Sequence, residues 1–314
     1  MSDKSKVRPP GTGRILVIRG GAIGDFVVTL PALAALRRQF PAARIELVAY
    51  THVGRLAVLA GCVDQVHPIE SRALAGFFAR QGALDAKVSD LFAGSDVVFT
   101  YLYDPDQIFR TNILRVSGAQ VIQGPHRPDE AVSRSAAEQF LAPMEGLGIF
   151  DADPVPRIPL DAAVPRHPRR IAVHPGSGSP SKNWPVSSWR TLVESWLAVP
   201  GIEVLLVGGE AENEAIGTLR HQVPSPRIRV LHGLPLDDLA RQLAGCSGFV
   251  GHDSGITHLA AAVGTPTVVL WGPTVEAVWR PGGRHVRVVR HPDALIRLEA
   301  ATVATAVREH FGMG

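Results

Sequence analysis

The sequence predicts an α/β protein built from two Rossmann-like halves. Short β-branched apolar runs alternate with stretches of helical spacing along nearly the whole chain. Several of these runs end in polar turns that carry glycine, as when a strand of a parallel sheet feeds a helix. Between Phe150 and Arg170, five prolines and scattered charge mark an extended connector. Parallel series on either side of it imply two halves facing each other across a cleft, residues 1–160 and 161–314.

Residues 1–13 read as a flexible lead. Arg14 to Arg19 is a buried strand that ends in Gly20-Gly21-Ala22-Ile23-Gly24-Asp25. Phe26 to Phe40 then has helical spacing, stopped by Pro41, and Arg44 to Tyr50 is the next strand. Further strands fall at 66–69 and 96–101, and helical stretches at 54–59, 74–78, 108–116 and 131–147. Past the connector, strand 170–173 leads into the loop His174 to Trp184 and a helix over 186–198. Strand 203–207 leads into Gly208-Gly209-Glu210 and a helix over 212–222, and strand 228–231 precedes a helix at 236–244. The stretch Val250 to Thr274 is the most informative. A strand ends in Gly251-His252-Asp253, and Ser254-Gly255 opens a small-residue helix that is followed by a strand over 267–271. A polar glycine loop at a helix start presents free N–H groups to an anion, here read as a phosphorylated ligand. The tail, 295–311, is helical in pattern.

Composition narrows the class. The 314 residues suffice for two domains, and 46% hydrophobic with 19% charged residues describes a globular protein. A net charge of +3 suits anionic substrates or an anionic membrane surface but does not argue for nucleic acid. Cys62 and Cys246, the two cysteines, each follow a glycine in apolar surroundings and read as separate buried thiols. No secretory leader and no apolar run of about 18 residues is present, so a cytoplasmic protein is expected, with peripheral membrane contact left open.

Each motif has a plain reading beside its chemical one. A dinucleotide fingerprint would need glycine where Arg19 stands, and the second strand ends in Tyr50-Thr51-His52 with no acid for a ribose. Asp25 reads equally as a helix cap and as a carboxylate at the ligand edge of the sheet. The loop from His174 through Lys182 is no Walker A loop, but its serines, amides and lysine suit a diphosphate. Asp253-Ser254-Gly255 lacks the frame of a serine protease, and His252 and His258 lack that of a zinc pair. His252 is preferred as a hydrogen-bonded core residue. Asp104-Pro105-Asp106 resembles a D-x-D metal clamp, but two aspartates around a proline more often make a turn. Trp189 and Trp196 read as core; Trp184 and Trp271, beside the loops, fit either role.

Taken together, RGGAIGDFVVTLPALAALRRQFP, HPGSGSPSKNWP, LLVGGEAENEA and GHDSGITHLAAAVGTPTVVLWGPT resemble the bacterial ADP-heptose:lipopolysaccharide heptosyltransferase family, glycosyltransferase family 9. The resemblance implies a GT-B fold with an acceptor-binding first half and a donor-binding second half. It also implies inverting, metal-independent transfer of heptose from ADP-heptose to a sugar hydroxyl. Asp25 matches the proposed general base and Lys182 the lysine at the donor phosphates, with Ser177 and Gly178 alongside. Glu212 matches the acid at the adenosine ribose. Asp253, Ser254, Gly255 and His258 match the loop for the donor sugar and diphosphate. No cofactor or metal is implied; the partners are an ADP-sugar and a lipid-linked or oligosaccharide acceptor. The acceptor and the exact donor are not written in these residues. A non-catalytic nucleotide-sugar-binding protein, or an NAD-dependent epimerase or dehydrogenase, are the alternatives.

Overall fold

The structure, a computed structural model, describes residues 12–160 and 164–312. The lead at 1–13 therefore lies almost wholly outside the described residues, as do residues 161–163 at the expected boundary. Packing divides the chain discontinuously. The first compact unit holds residues up to Gly21, Thr29–Pro128 and Ala137–Pro154; the second holds Ala22–Val28, Asp129–Ala136 and everything from Val155.

The first unit is a five-stranded sheet in the order β3-β2-β1-β4-β5. Its strands are β1 (Arg14–Ile18), β2 (Arg44–Ala49), β3 (Gln65–Pro68), β4 (Val97–Thr100) and β5 (Gln120–Gln123), all parallel. Helices α2 (Leu30–Gln39), α3 (Thr51–Leu59), α4 (Ala86–Ala93), α5 (Ile108–Leu114) and most of α6 (Ala136–Leu141) belong to it, while α1 (Ile23–Val27) falls in the second unit. Leu16, Ile18, Val48 and Val98 of the strands bury against Phe77, Phe92 and Phe109. A parallel sheet covered in this way reads as unbroken apolar runs, which is why its strands were visible in sequence.

The second unit has a six-stranded parallel sheet in the order β11-β10-β9-β6-β7-β8. Its strands are β6 (His167–His174), β7 (Glu203–Gly208), β8 (Ile228–His232), β9 (Cys246–His252), β10 (Thr267–Leu270) and β11 (Val286–Val289). Its helices are α7 (Val186–Leu197), α8 (Asn213–Gln222), α9 (Leu236–Ala244), α10 (Gly255–Ala262), α11 (Glu276–Trp279) and α12 (Ala300–Phe311). Trp184, Trp189 and Trp196 lie in one apolar core with Val173, Val250 and Leu270. Trp271 is also buried, so both tryptophans of uncertain role are packing residues. Cys62 and Cys246 are free, buried thiols, raised by burial to about 11 and about 12.

In each sheet the chain winds outward in both directions from a central strand. Order reverses beside β1, between β2 and β4, and beside β6, between β7 and β9. Loops beyond the carboxyl ends of strands at such a reversal form the usual ligand crevice of an open α/β sheet.

Three expectations change. The single helix over 26–40 is two helices, broken at Val28-Thr29. Pro31 has no N–H to give the Val27 carbonyl and its ring crowds that oxygen, so the helix restarts with proline in its first turn. The stretch 131–147 holds only α6 and a 3-10 turn at Ala142–Leu147. Strands β5 and β11 and helix α4 escaped sequence reading.

Candidate active site

The second unit gathers most of the predicted residues at its reversal point. Ser254 caps α10, its Oγ accepting from the Thr257 N–H at 3.4 Å. Gly255, the first residue of α10, is needed for close approach. A Cβ there would stand 2.7 Å from Ile23 Cβ and 2.8 Å from the Gly24 nitrogen, so α1 and the start of α10 meet backbone to backbone. Asp25 thus sits in the same unit as the Asp253 loop. Its Oδ2 accepts from the Ala22 N–H at 3.3 Å, so the capping role is real. Its charge is also felt by His258, so the chemical reading stands beside the cap and is not displaced by it.

Lys182 ends a 3-10 turn at Pro180–Lys182, and its Nζ pairs with Asp253 Oδ2 at 2.9 Å. The same oxygen accepts from Thr274 Oγ1 at 2.7 Å, and Thr274 is itself held by Trp271 Nε1, which donates to its carbonyl at 2.9 Å. Asp253 is 7% exposed, and a carboxylate so buried requires this pairing. His258 is buried on the first turn of α10. Burial lowers its pKa against the opposing pull of Asp253 and Asp25, while Lys182 adds to the lowering, so the ring is neutral. Its Nδ1 has no partner among the described residues. An unsatisfied buried polar atom amid two carboxylates and an ammonium is an unusual cost, of the kind that ligand sites carry.

The loop between β6 and α7 is braced by two buried histidines. His252 Nε2 accepts from the Trp184 N–H at 2.8 Å, which leaves Nδ1–H to donate to the Gly176 carbonyl at 3.1 Å. One imidazole thereby pins both ends of the loop, as its preferred core reading required. Gly176 has no room for a Cβ because the Glu212 side chain occupies that space. Glu212 is buried, with Oε2 accepting from the Gly209 N–H at 2.8 Å and Oε1 lying 3.8 Å from His174 Nε2. Ser177 Oγ reaches Asn183 Oδ1 at 2.6 Å and the Ser179 carbonyl at 2.9 Å, and Gly178 turns with φ of 72°. Ser177 and Gly178 therefore shape the loop, with Lys182 reaching out of it to Asp253. Sequence reasoning missed His174, which lies 3.4 Å from Ser254 Oγ, and Thr274; neither carries a local signal of its role.

Both bracing histidines are lowered by burial to about 4 from an ordinary 6.5. Between those values the unfolded chain binds protons that the folded one refuses. Stability is therefore complete above about pH 6.5 and declines as pH falls towards about 4. Urea midpoints measured from pH 7.5 to pH 4.5 are expected to drop steeply; a flat profile would show that these rings are not held neutral.

Asp104 and Asp106, set aside as a turn, behave as one. Asp104 caps α5, accepting from the Phe109 and Arg110 N–H groups at 3.1 and 2.9 Å, and Asp106 pairs with Arg80 at 3.4 Å. Among the described residues no group of three or more His, Cys, Asp or Glu could hold a metal ion.

A carboxylate, an ammonium and a capped helix start thus meet at a sheet reversal, the usual ligand crevice of a two-sheet α/β fold. Residues 152–303 match glycosyltransferase family 9 (heptosyltransferase). Lipopolysaccharide heptosyltransferase 1 of Salmonella typhimurium is 24% identical over 92% of this chain and 98% of its own length. Among solved structures, a family 9 glycosyltransferase of Veillonella parvula superposes with a TM-score of 0.79 at 19% identity, covering 96% of this chain and 98% of that one. The E. coli heptosyltransferase WaaC with ADP-2-deoxy-2-fluoro heptose gives 0.70 at 23%, covering 94% and 99%. Over residues 152–303 the chain matches that family, and it is a glycosyltransferase with the two-domain α/β fold of these structures.

Proposed function

We propose that this enzyme transfers a heptose from ADP-heptose to a sugar hydroxyl of a lipopolysaccharide-type acceptor, with inversion and without a metal. The single observation that carries the reading is the Lys182–Asp253–His258 cluster at the start of α10, with Asp25 close enough for its charge to reach His258. The names of the relatives support the sugar and the acceptor class, and the ADP-fluoroheptose bound by the E. coli protein supports the nucleotide.

In this reading Asp25 takes the proton of the acceptor hydroxyl as its oxygen bonds to the anomeric carbon. The bond from that carbon to the diphosphate oxygen breaks on the opposite face, and the electron pair leaves with ADP. Lys182 and the free N–H groups of α10 meet the charge that develops there. Asp253 holds Lys182 in place until the diphosphate competes for it. Ser177, Gly178 and Glu212 belong to the nucleotide end, Glu212 towards the ribose. The neutral His258 is free to share a hydrogen bond with the donor sugar. The first unit takes the acceptor, and the protein works in the cytoplasm, in peripheral contact with the inner membrane. No described helix is long and apolar enough to cross a membrane.

Calorimetric titration with ADP-, UDP-, GDP- and CMP-sugars tests the donor. ADP-heptose is expected to bind most tightly, and transfer is expected to be unchanged by EDTA. Preference for another nucleotide would refute the donor, and loss of activity with EDTA would refute the metal-free mechanism.

A further inference from the structure

The first unit has its own reversal point, beside β1. We propose that Tyr103 and His126 form an aromatic platform at that point, on which a pyranose ring of the acceptor stacks. The proposal rests on the heptosyl-transfer reading above for the identity of the sugar.

Position is the first observation. Tyr103 follows the carboxyl end of β4, the neighbour of β1, and His126 that of β5, one strand further out. The loop of Tyr103 corresponds to the Asp253 loop of the second sheet, and that of His126 to the Thr274 loop beyond it.

Exposure is the second. Tyr103 is 71% exposed and His126 is also exposed, and their ring centroids lie 4.7 Å apart at 57°.

Rigidity is the third. Gln123 Nε2 ties the β4 and β5 loops by donating to the Leu102 carbonyl at 2.8 Å and to that of Gly124 at 3.0 Å. Asp104 fixes the far side of Tyr103 by capping α5. Beneath His126, the buried Arg19 donates from Nη1 to its carbonyl at 2.9 Å, and its guanidinium lies 4.4 Å from the centre of the Phe140 ring. These hydrogen bonds fix the backbone of the two loops that carry the exposed rings.

The chemistry follows from the ring. An aromatic face carries negative charge density, and the C–H bonds on one face of a pyranose present weakly positive hydrogens to it. A pre-organised ring also loses little conformational freedom on binding. Arg19 is here a positioning residue, which sets His126 without touching the sugar.

De-O-acylated, heptose-free lipopolysaccharide is the probe, titrated into protein with labelled tyrosine rings. Of the three tyrosines, Tyr101 is buried and Tyr50 and Tyr103 are exposed, so the Tyr103 resonances are assigned as those missing from Tyr103→Phe. The Tyr103 resonances are expected to shift on titration. Tyr103→Ala should weaken binding about three- to tenfold, the worth of an aromatic contact, while Tyr103→Phe and ADP-heptose affinity stay near wild type. An unshifted Tyr103, or equal affinity in Tyr103→Ala, overturns the platform. Failure of the wild type to bind ADP-heptose would instead mark failure of the donor reading.

Discussion

Asparagine at position 25 is expected to lower transfer by about 10²- to 10⁴-fold, the usual worth of a general base, while ADP-heptose still binds. The substitution separates the two roles that Asp25 holds at once. Its side-chain oxygen accepts from the Ala22 N–H, and an asparagine carbonyl can do the same. What asparagine cannot do is take a proton. Asp25→Ala removes both roles, so the difference between the two variants is the cap, about 1 kcal/mol in helix stability. A pair of variants with equal thermal midpoints to within that margin, both inactive, fits the account. Full activity in Asp25→Asn would remove Asp25 as the base.

Removing the ammonium of Lys182 should cost about as much. Lys182→Ala is expected to reduce kcat/KM by about 10²- to 10³-fold, as for loss of one donor to a developing anion. Most of that should appear as weaker ADP-heptose binding. It also leaves the carboxylate of Asp253, 7% exposed, to the Thr274 hydroxyl. Lys182→Arg keeps the charge but replaces a compact ammonium with a planar fork, and should recover only part of the loss. Titration calorimetry separates binding from turnover, and donor affinity unchanged in Lys182→Ala would end its role at the phosphates.

The sequence revealed those residues whose chemistry is local. A strand, a glycine turn and a helix can be read from neighbours, and so the Ser254 cap, the start of α10 and the loop before Trp184 were visible. The pairing of Lys182 with Asp253 joins loops after two different strands, β6 and β9, and became evident only in the sheet order. Thr274 looked like any turn threonine, and His252 became a two-ended brace only when Trp184 and Gly176 were seen beside it.

The compact units do not follow the sequence boundary at 160/161. Pro31 interrupts what reads as one helix from 26 to 40. That break makes α1 a separate element, and residues 22–28 pack within the second unit, beside Gly255. Asp25, on the first side of the sequence boundary, thus lies on a helix that packs against α10. The acceptor side was illegible for a different reason. Tyr103 and His126 lie in short loops without periodicity, and only the three-dimensional anchoring of those loops singles them out.

Heptosyl transfer itself is tested most directly by mass spectrometry of heptose-free lipopolysaccharide after incubation with the enzyme and ADP-heptose. The account predicts acceptor carrying one added heptose with release of ADP, with wild-type protein and not with Asp25→Asn. Tight ADP-heptose binding with no mass gained by the acceptor would contradict it.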